Sequence, residues 1–230
     1  MKAPIAVALD APDLATAKNW ALAVSPYVTT LKIGLETYLR DGKEAIHEIR
    51  KISDCDIFLD LKLHDIPATV IGACKSVAEL APKYLTVHAS GGKDMISAAV
   101  QTLPNTLIVA VTILTSIDRT NLQEIGFSSN PSQSSIKLAQ LAVAAGARAI
   151  VCSAQEVSEI RQNVADEIVL ITPGIRQAGT NRYDQQRVAT PQEAIANGAD
   201  LLVIGRPITS EIDVAAAAKL VSEEVNDIYL

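Results

Sequence analysis

Three charged side chains fall within six residues at the end of an apolar run, and their spacing could support chemistry. The segment 58–69 reads FLDLKLHDIPAT. On an extended strand, Asp60 and Lys62 leave the same face and can form a charged pair. Asp65 breaks this spacing and is expected just past the strand end, because Pro67 bars further sheet and can open a helix. Such a set is a candidate site, although an isolated D-x-K pair is more often a structural salt bridge.

The composition limits the class of protein. With 230 residues, of which 49% are hydrophobic, the chain can form one domain over residues 1–230, a usual size for an α/β barrel. A formal net charge of −6 and the lack of any Lys/Arg run argue against nucleic-acid binding. A small anionic ligand stays possible, since local cations can outweigh the net charge.

The cysteines and the N-terminus indicate the cellular compartment of the protein. Cys55, Cys74 and Cys152 form neither a C-x-x-C pair nor a metal-ligand spacing, and are expected as buried thiols in a reducing compartment. The N-terminus lacks the pattern of a signal peptide, and no apolar span reaches membrane length. We therefore expect a soluble cytoplasmic protein with no membrane partner.

Short runs rich in Val, Ile and Leu alternate with helix-like segments, which is typical of a parallel sheet built from βα units. Eight such runs favour a (β/α)8 barrel over an open sheet, because barrel strands pack helices outside and side chains within. The predicted strands are Ile5–Leu9, Thr30–Gly34, Ile57–Leu61, Tyr84–His88, Leu107–Val111, Ala149–Cys152, Ile168–Thr172 and Leu201–Ile204.

The segments between the strands carry helical periodicity with two interruptions. Apolar residues at helical spacing predict helices over 14–24 and 136–142. The Ser-rich stretch 128–135 around Pro131 predicts a loop before the second of these helices. Another stretch without periodicity, 176–190, follows strand seven.

In a (β/α)8 barrel, chemistry belongs to the carboxyl ends of the strands and to the loops that leave them. Nearly every predicted strand end contributes a group that can ionise or hydrogen-bond, although a solvated rim also carries polar residues. His64 could reach the site as well, but it has no paired nucleophile at motif spacing. The strand-end residues are Asp10, Lys32, Asp60, Lys62, His88, Thr112, Thr115, Ser153, Arg176, Gly205 and Arg206.

The clearest ligand signal follows strand eight, where Gly205 and Arg206 precede a helix-like segment. Glycine allows backbone N–H groups to approach an anion, and arginine can grip two phosphate oxygens. Barrels of this kind often bind phosphate at this position, and Arg176 after strand seven adds a second cation. The pattern favours a phosphorylated substrate, while nucleoside triphosphate, dinucleotide and zinc-protease motifs are absent from the sequence.

At these residues the chain resembles the orotidine 5′-phosphate decarboxylase family. The segment 60–69 carries the specific signature, whereas D-x-K-x-x-D alone is shared with a wider suprafamily of phosphosugar enzymes. The resemblance spans essentially the whole chain. The other matching segments are Val7–Asp10, Leu31–Gly34, Leu114–Ser116, Thr172–Arg176, Asp184–Gln185 and Val203–Pro207.

The resemblance implies a cofactor-free and metal-free decarboxylation of orotidine 5′-monophosphate to uridine 5′-monophosphate, in a homodimer with active sites at the interface. It implies that Lys62 donates a proton to C6 of the pyrimidine, with Asp60 and Lys32 beside it. The residues implied to reach the neighbouring subunit's site are Asp65, Ile66 and Thr69.

The resemblance also implies a contact for each part of the substrate. Asp10 and Lys32 would hold the ribose hydroxyls, and Thr115 with its loop would hold the pyrimidine edge. Gln177 and Tyr183 depart from the residues usual in the family, which leaves the conformation of the phosphate-closing loop open. The residues implied on the phosphate side are Arg176, Gln185, Gly205 and Arg206.

Two alternatives remain at the level of sequence. A magnesium-dependent keto-sugar phosphate decarboxylase or aldolase of the same suprafamily would hold its metal with a carboxylate at the end of strand two. This chain has Lys32 there, and Glu36 lies further along. A catalytically silent protein that binds a phosphate ligand is the other alternative, but binding alone gives no reason for a lysine between two carboxylates.

Overall fold

The computed structural model describes residues 1–176 and 188–229. Within these ranges, eight parallel strands close into a barrel in the order of the chain. The predicted (β/α)8 barrel is confirmed, and the predicted strand bounds differ from the observed ones by at most two residues. The strands are β1 (Ala3–Ala8), β2 (Val28–Gly34), β3 (Asp56–Leu63), β4 (Tyr84–His88), β5 (Leu107–Val111), β6 (Ala149–Val151), β7 (Val169–Thr172) and β8 (Leu201–Ile204).

Helices separate the strands along the chain, and the predicted helix over 14–24 is confirmed. Short 3₁₀ turns cover Ala78–Leu80, Ala89–Gly91 and Asp227–Tyr229. The helices of the described residues are α1 (Leu14–Val24), α2 (Leu35–Asp41), α3 (Lys43–Arg50), α4 (Pro67–Val77), α5 (Gly92–Thr102), α6 (Arg119–Glu124), α7 (Pro131–Ala144), α8 (Val157–Arg161), α9 (Pro191–Ala196), α10 (Arg206–Thr209) and α11 (Val214–Asn226).

The loop predicted over 128–135 is wrong in its second half, because α7 begins at Pro131. Asn130 caps the helix, and its side-chain oxygen accepts a hydrogen bond from the backbone N–H of Gln133 at 2.9 Å. Proline is well suited to a first helical position, since it has no N–H to satisfy there and its φ is preset. Ser, Asn and Pro are common in loops and equally common at helix starts, so composition alone misplaced the boundary.

The segment between β3 and α4 has the predicted arrangement. Asp65 lies past the end of β3, and α4 begins at Pro67. Ile66 is extended, with ψ of 153°, which is the conformation that a residue before proline prefers. The strand therefore stops two residues before Asp65, and the chain turns outward into a helix.

The apolar core has two layers, one on each side of the sheet. The larger layer packs strand residues such as Leu85 and Ile150 against the helices. The smaller layer fills the barrel interior, where the Phe58 and Tyr84 rings lie 5.5 Å apart. Because alternate residues of a strand face opposite sides, each strand supplies both layers. The buried residues of the interior layer are Ala6, Phe58, Val109, Ala149, Ile171 and Leu201.

The cysteines are buried and free, as predicted. Burial raises the pKa of Cys74 to about 11 and that of Cys152 to about 12. Both thiols therefore stay protonated near neutral pH and are poor nucleophiles. In the described part of the chain, no helix has the length and hydropathy that a membrane crossing requires.

Asp200 ties the last two strands to the helix between β6 and β7. Its Oδ2 accepts a hydrogen bond from the backbone N–H of Leu170 at 2.7 Å and forms an ion pair with Arg161 at 2.5 Å. Arg161 also donates to the carbonyl oxygen of Ile168 at 3.0 Å. This contact lies at the amino ends of β7 and β8, whose opposite ends carry the predicted phosphate residues.

We expect Asp200→Ala to lower the free energy of unfolding by about 1–3 kcal/mol, because the partly buried N–H of Leu170 loses its acceptor. In a chain of this size that corresponds to a melting temperature lower by about 2–4 °C per kcal/mol, measured by thermal or urea unfolding. Asp54→Ala is the control, since it removes only an exposed ion pair with Lys2. Equal stability of the two variants would show that the contact between Asp200 and the N–H of Leu170 does not stabilise the fold.

Candidate active site

A cavity of about 570 Å³ opens at the carboxyl ends of the strands. It brings together most of the residues that the sequence singled out, although they come from seven different strand ends. Its apolar wall comes from inward-facing strand positions such as Phe58, Val111 and Val203. These residues are apolar and so are not among the polar strand ends predicted from the sequence. The predicted residues that line it are Asp10, Lys32, Asp60, Lys62, Thr115, Ser153, Arg176, Gly205 and Arg206.

Four of these side chains form a row of alternating charges. The Lys62 ammonium lies 2.8 Å from Asp60 Oδ1, and the Lys32 ammonium lies 3.4 Å from Asp60 Oδ2. Lys32 also lies 3.5 Å from Asp10 Oδ1. The side chains of Lys32 and Asp60 are only 9% and 14% exposed, so this is not a solvated surface salt bridge.

The neighbouring lysines control the ionisation of Asp60. Burial acts to raise the pKa of this carboxyl, but the charges of Lys32 and Lys62 and the hydrogen bonds from Lys62 and Thr86 outweigh it. The pKa of Asp60 therefore lies below its ordinary value of 3.8. The carboxyl group therefore stays ionised between the two lysines despite its burial.

Gly34 at the end of β2 makes room for the Asp10–Lys32 pair. A Cβ atom at this position would lie 2.6 Å from Asp10 Oδ1 and 2.9 Å from Lys32 Nζ. The register pairs Gly34 with Asp60 on β3, so the glycine lies at the centre of the charged row. A side chain here would displace the charges themselves.

The backbone at Lys62 is not the regular strand that the two-residue spacing assumed. Leu59 pairs with Leu85 and Leu63 pairs with Val87, so the ladder is irregular between these positions. Lys62 has φ of 48°, in the left-handed region that residues with a side chain rarely adopt. The predicted contact between Asp60 and Lys62 is present, but a bulge and not simple alternation produces it.

Thr86 on β4 was missed by the sequence reasoning. Its hydroxyl accepts a hydrogen bond from the backbone N–H of Lys62 at 2.8 Å and donates to Asp60 Oδ1 at 3.1 Å. The one available signal was a polar residue between Leu85 and Val87 in an otherwise apolar strand. That signal is weak, since threonine is common in strands for steric reasons.

Several predicted residues do not line the cavity of this chain. Asp65, Ile66 and Thr69 are exposed at the start of α4, and Asp65 Oδ1 accepts a hydrogen bond from the N–H of Ile66 at 2.6 Å. Thr112 donates to the carbonyl oxygen of Val151 at 2.9 Å. Gln185 lies outside the described residues, as do the departures at positions 177 and 183.

The two histidines left unassigned lie together beside the charged row. The rings of His64 and His88 are 5.3 Å apart and tilted by 40°. Burial lowers the pKa of His88, and the charges of His64 and Lys62 lower it further. His88 is therefore neutral near neutral pH.

Glu36 on α2 also lines the cavity. It is exposed, whereas Lys32 occupies the end of β2 inside the cavity. Among residues 1–176 and 188–229, no three His, Cys, Asp or Glu side chains are grouped so that they could hold a metal ion.

We expect Lys32→Met to raise the pKa of Asp60, because it removes a positive charge that lowers that pKa. The measurement is a carbon-13 NMR titration of the Asp60 carboxyl. Lys51→Met removes a lysine that pairs with Glu48 on the surface and leaves the pKa of Asp60 unchanged. Titration of Asp60 at the same pH in both variants would show that the row does not control its ionisation.

The chain is similar to known proteins over almost its whole length. A family model described as "Orotidine 5'-phosphate decarboxylase / HUMPS family" matches residues 3–221. An orotidine 5′-phosphate decarboxylase of Thermobifida fusca is 56% identical over 225 residues, covering 98% of this chain and 97% of the relative. One of Frankia casuarinae is 46% identical, covering 96% of this chain and 87% of the relative.

Solved structures agree with these relatives. The crystal structure of orotidine 5′-phosphate decarboxylase from Lactobacillus acidophilus matches with a TM-score of 0.84 and 32% identity, covering 98% of this chain and all of the other. An uncharacterized conserved protein from Geobacillus kaustophilus matches with a TM-score of 0.83 and 30% identity, over 97% of this chain and all of the other. The chain therefore belongs to the orotidine 5′-phosphate decarboxylase / HUMPS family.

Proposed function

We propose that this chain decarboxylates orotidine 5′-monophosphate to uridine 5′-monophosphate in pyrimidine nucleotide synthesis, without a cofactor or metal. The observation that carries the proposal is the row of alternating charges in the cavity, in which the Lys62 ammonium lies 2.8 Å from Asp60. The relatives that are 56% and 46% identical to it carry the name of this activity, which supports the choice of substrate.

The reaction requires stabilisation of negative charge at one carbon atom. Loss of carbon dioxide from C6 of the pyrimidine leaves a carbanion with little resonance help. In our proposal the Lys62 ammonium stabilises this charge as it develops and then delivers its proton to C6. Asp60 supplies the opposite charge beside the Lys62 ammonium, at 2.8 Å.

The remaining lining residues are proposed to bind the parts of the substrate that do not react. Asp10 and Lys32 hold the ribose hydroxyls, and Thr115 holds the pyrimidine edge. Binding energy from the distant phosphate orients the ring over Lys62. The proposed phosphate residues are Arg176, Gln185, Gly205 and Arg206, of which Arg176, Gly205 and Arg206 line the cavity.

The proposed assembly is a homodimer in which Asp65, Ile66 and Thr69 complete the neighbouring subunit's site. Their exposure supports this, because Ile66 is 65% exposed beside a charged site instead of being buried. Leu35 and Leu39 on α2 are 45% and 78% exposed. Exposed apolar side chains such as these favour an interface.

The magnesium-dependent sister enzymes remain the nearest alternative, since the family description covers more than one activity. Two observations favour the decarboxylation. The Lys32 ammonium occupies the cavity at the end of β2, where it would repel a metal ion. Glu36, the second residue of α2, is exposed.

We further propose that residues 1–230 act as one domain and that the protein is cytoplasmic, which its three free buried thiols support.

The decisive assay offers orotidine 5′-monophosphate to the protein with excess chelator and follows loss of the orotate absorbance. We expect turnover that chelation does not change. Activity that is lost with chelator and restored by magnesium would favour the sister enzymes, and binding without turnover would favour the silent binding protein.

Lys62→Ala should lose decarboxylation by about 10²–10⁴-fold or more, because the proton donor is gone. Binding of uridine 5′-monophosphate, measured by calorimetry, should be largely retained, since the phosphate and ribose contacts are intact. Lys75→Ala on the exposed side of α4 is the matched control and keeps full activity. Near-normal turnover by Lys62→Ala would remove Lys62 from the mechanism.

Mixing inactive Lys62→Ala and Asp65→Ala chains should restore activity if Asp65 acts across the interface. Roughly a quarter of the wild-type activity is expected, because about half of the dimers are hybrid and each hybrid has one intact site. Mixing Lys62→Ala with Asp60→Ala is the control and restores nothing, since both residues serve the same site of one chain. Absence of recovery after verified subunit exchange would refute the shared site.

A further inference from the structure

The irregular part of β3 lies opposite a single residue of β4. Leu59 pairs with Leu85 and Leu63 pairs with Val87, so the segment 60–62 faces Thr86 alone. In a regular parallel ladder, backbone carbonyl groups of the neighbouring strand would accept the N–H groups of this segment. Here the N–H of Lys62 is accepted by the side-chain hydroxyl of Thr86 at 2.8 Å.

The same hydroxyl reaches the reacting pair. Thr86 Oγ1 donates to Asp60 Oδ1 at 3.1 Å, and this oxygen also accepts from the Lys62 ammonium at 2.8 Å. The hydroxyl has one proton to donate and lone pairs to accept, so both bonds form at once. The result is a closed loop that runs from the Lys62 backbone through Thr86 and Asp60 to the Lys62 ammonium.

We infer that Thr86 is a positioning residue, which holds the Lys62 backbone in its left-handed conformation and aims Asp60 Oδ1 at the Lys62 ammonium. This inference rests on the proposed decarboxylation. Thr86 does not touch the cavity, and its side chain is fully buried. It acts only through the two residues that it bonds.

The physical reason is the strain at Lys62. A residue with a side chain at φ of 48° persists only where its surroundings hold it there. The Thr86 hydroxyl is the hydrogen-bond partner of that N–H, and the ion pair with Asp60 fixes the other end of the same residue. Without the hydroxyl, the partly buried N–H loses its partner and the backbone can relax toward a regular strand.

The charged groups around Asp60 determine what a pH profile reports. Lys32 faces it from β2, Lys62 lies on its own strand, and His88 lies close by at the end of β4. The bond from Thr86 is one of the contacts that lower the pKa of Asp60. Its loss raises that pKa, so the ionised carboxylate disappears at a higher pH than in the wild type.

The test compares Thr86→Val, which keeps the shape but removes the hydroxyl, with Thr86→Ser, which keeps the hydroxyl. For Thr86→Val we expect kcat for orotidine 5′-monophosphate to fall by about 10²-fold, as for a misplaced reacting group. KM should change little, because the phosphate contacts on β7 and β8 remain, and the acidic limb of the kcat profile should move to higher pH. Thr86→Ser should have the wild-type kcat and an acidic limb at the wild-type pH.

Thr106→Val is the matched control. The Thr106 hydroxyl is also buried and donates to the carbonyl oxygen of Pro82 at 2.9 Å, but it lies just before β5, at the end of the barrel away from the cavity. We expect this variant to melt at a lower temperature with unchanged kcat and pH profile.

The outcomes separate the inference from the proposed function. Thr86→Val with wild-type kcat and an unmoved acidic limb overturns the inference while the decarboxylation stands. A wild-type chain without turnover overturns both. Where Thr86→Val does not fold, Thr86→Cys replaces it, because a thiol is a weaker hydrogen-bonding group. A kcat for Thr86→Cys below that of Thr86→Ser supports the inference, and equal values overturn it.

Discussion

The ion pairs that Asp60 forms with Lys62 and Lys32 lie in a cavity where each charge depends on the others. Asp60 is 14% exposed, and a carboxylate at that depth without cations would favour its neutral form. Without the carboxylate, the two ammonium groups would have no negative charge between them. The row of alternating charges is therefore stable only as a whole, and the strands and the bulge serve to bring its members within 3.5 Å.

A closed parallel barrel is suited to holding such a row. Below the cavity, the interior is filled by apolar side chains such as Phe58 and Val109, which exclude water from the lower side of the charges. The carboxyl ends of all strands meet at one rim, so residues far apart in sequence become neighbours there. Asp10 follows β1, Lys32 lies on β2 and Asp60 on β3, and the register pairs Asp60 with Gly34, two residues beyond Lys32.

Two departures from regular structure lie at the same point. Gly34 removes a side chain where Asp10 and Lys32 pass, and Lys62 adopts a left-handed backbone supported by Thr86. A strained backbone conformation at a site is tolerated when the surrounding contacts hold it in place. In the proposed reaction their effect is to aim an ammonium group at a developing carbanion before the substrate arrives, which is electrostatic preorganisation.

The sequence by itself determined the barrel and the identity of most of the site. Apolar periodicity and the residues that end each strand depend only on a few neighbours in the sequence. They therefore located all eight strands to within two residues. The signature over 60–69 and the polar strand ends named nine residues that line the cavity. Composition failed at Pro131, where the same residue types serve a loop and a helix start.

Only the tertiary structure decided how the charges are held. The bulge at Lys62, the hydroxyl of Thr86 and the space above Gly34 depend on pairing between strands that helices separate along the chain. Two-residue alternation predicted the contact between Asp60 and Lys62, but it contains no information about the partner strand. A hydrogen bond between β3 and β4 exists only when both strands are in register, and register is a property of the closed barrel.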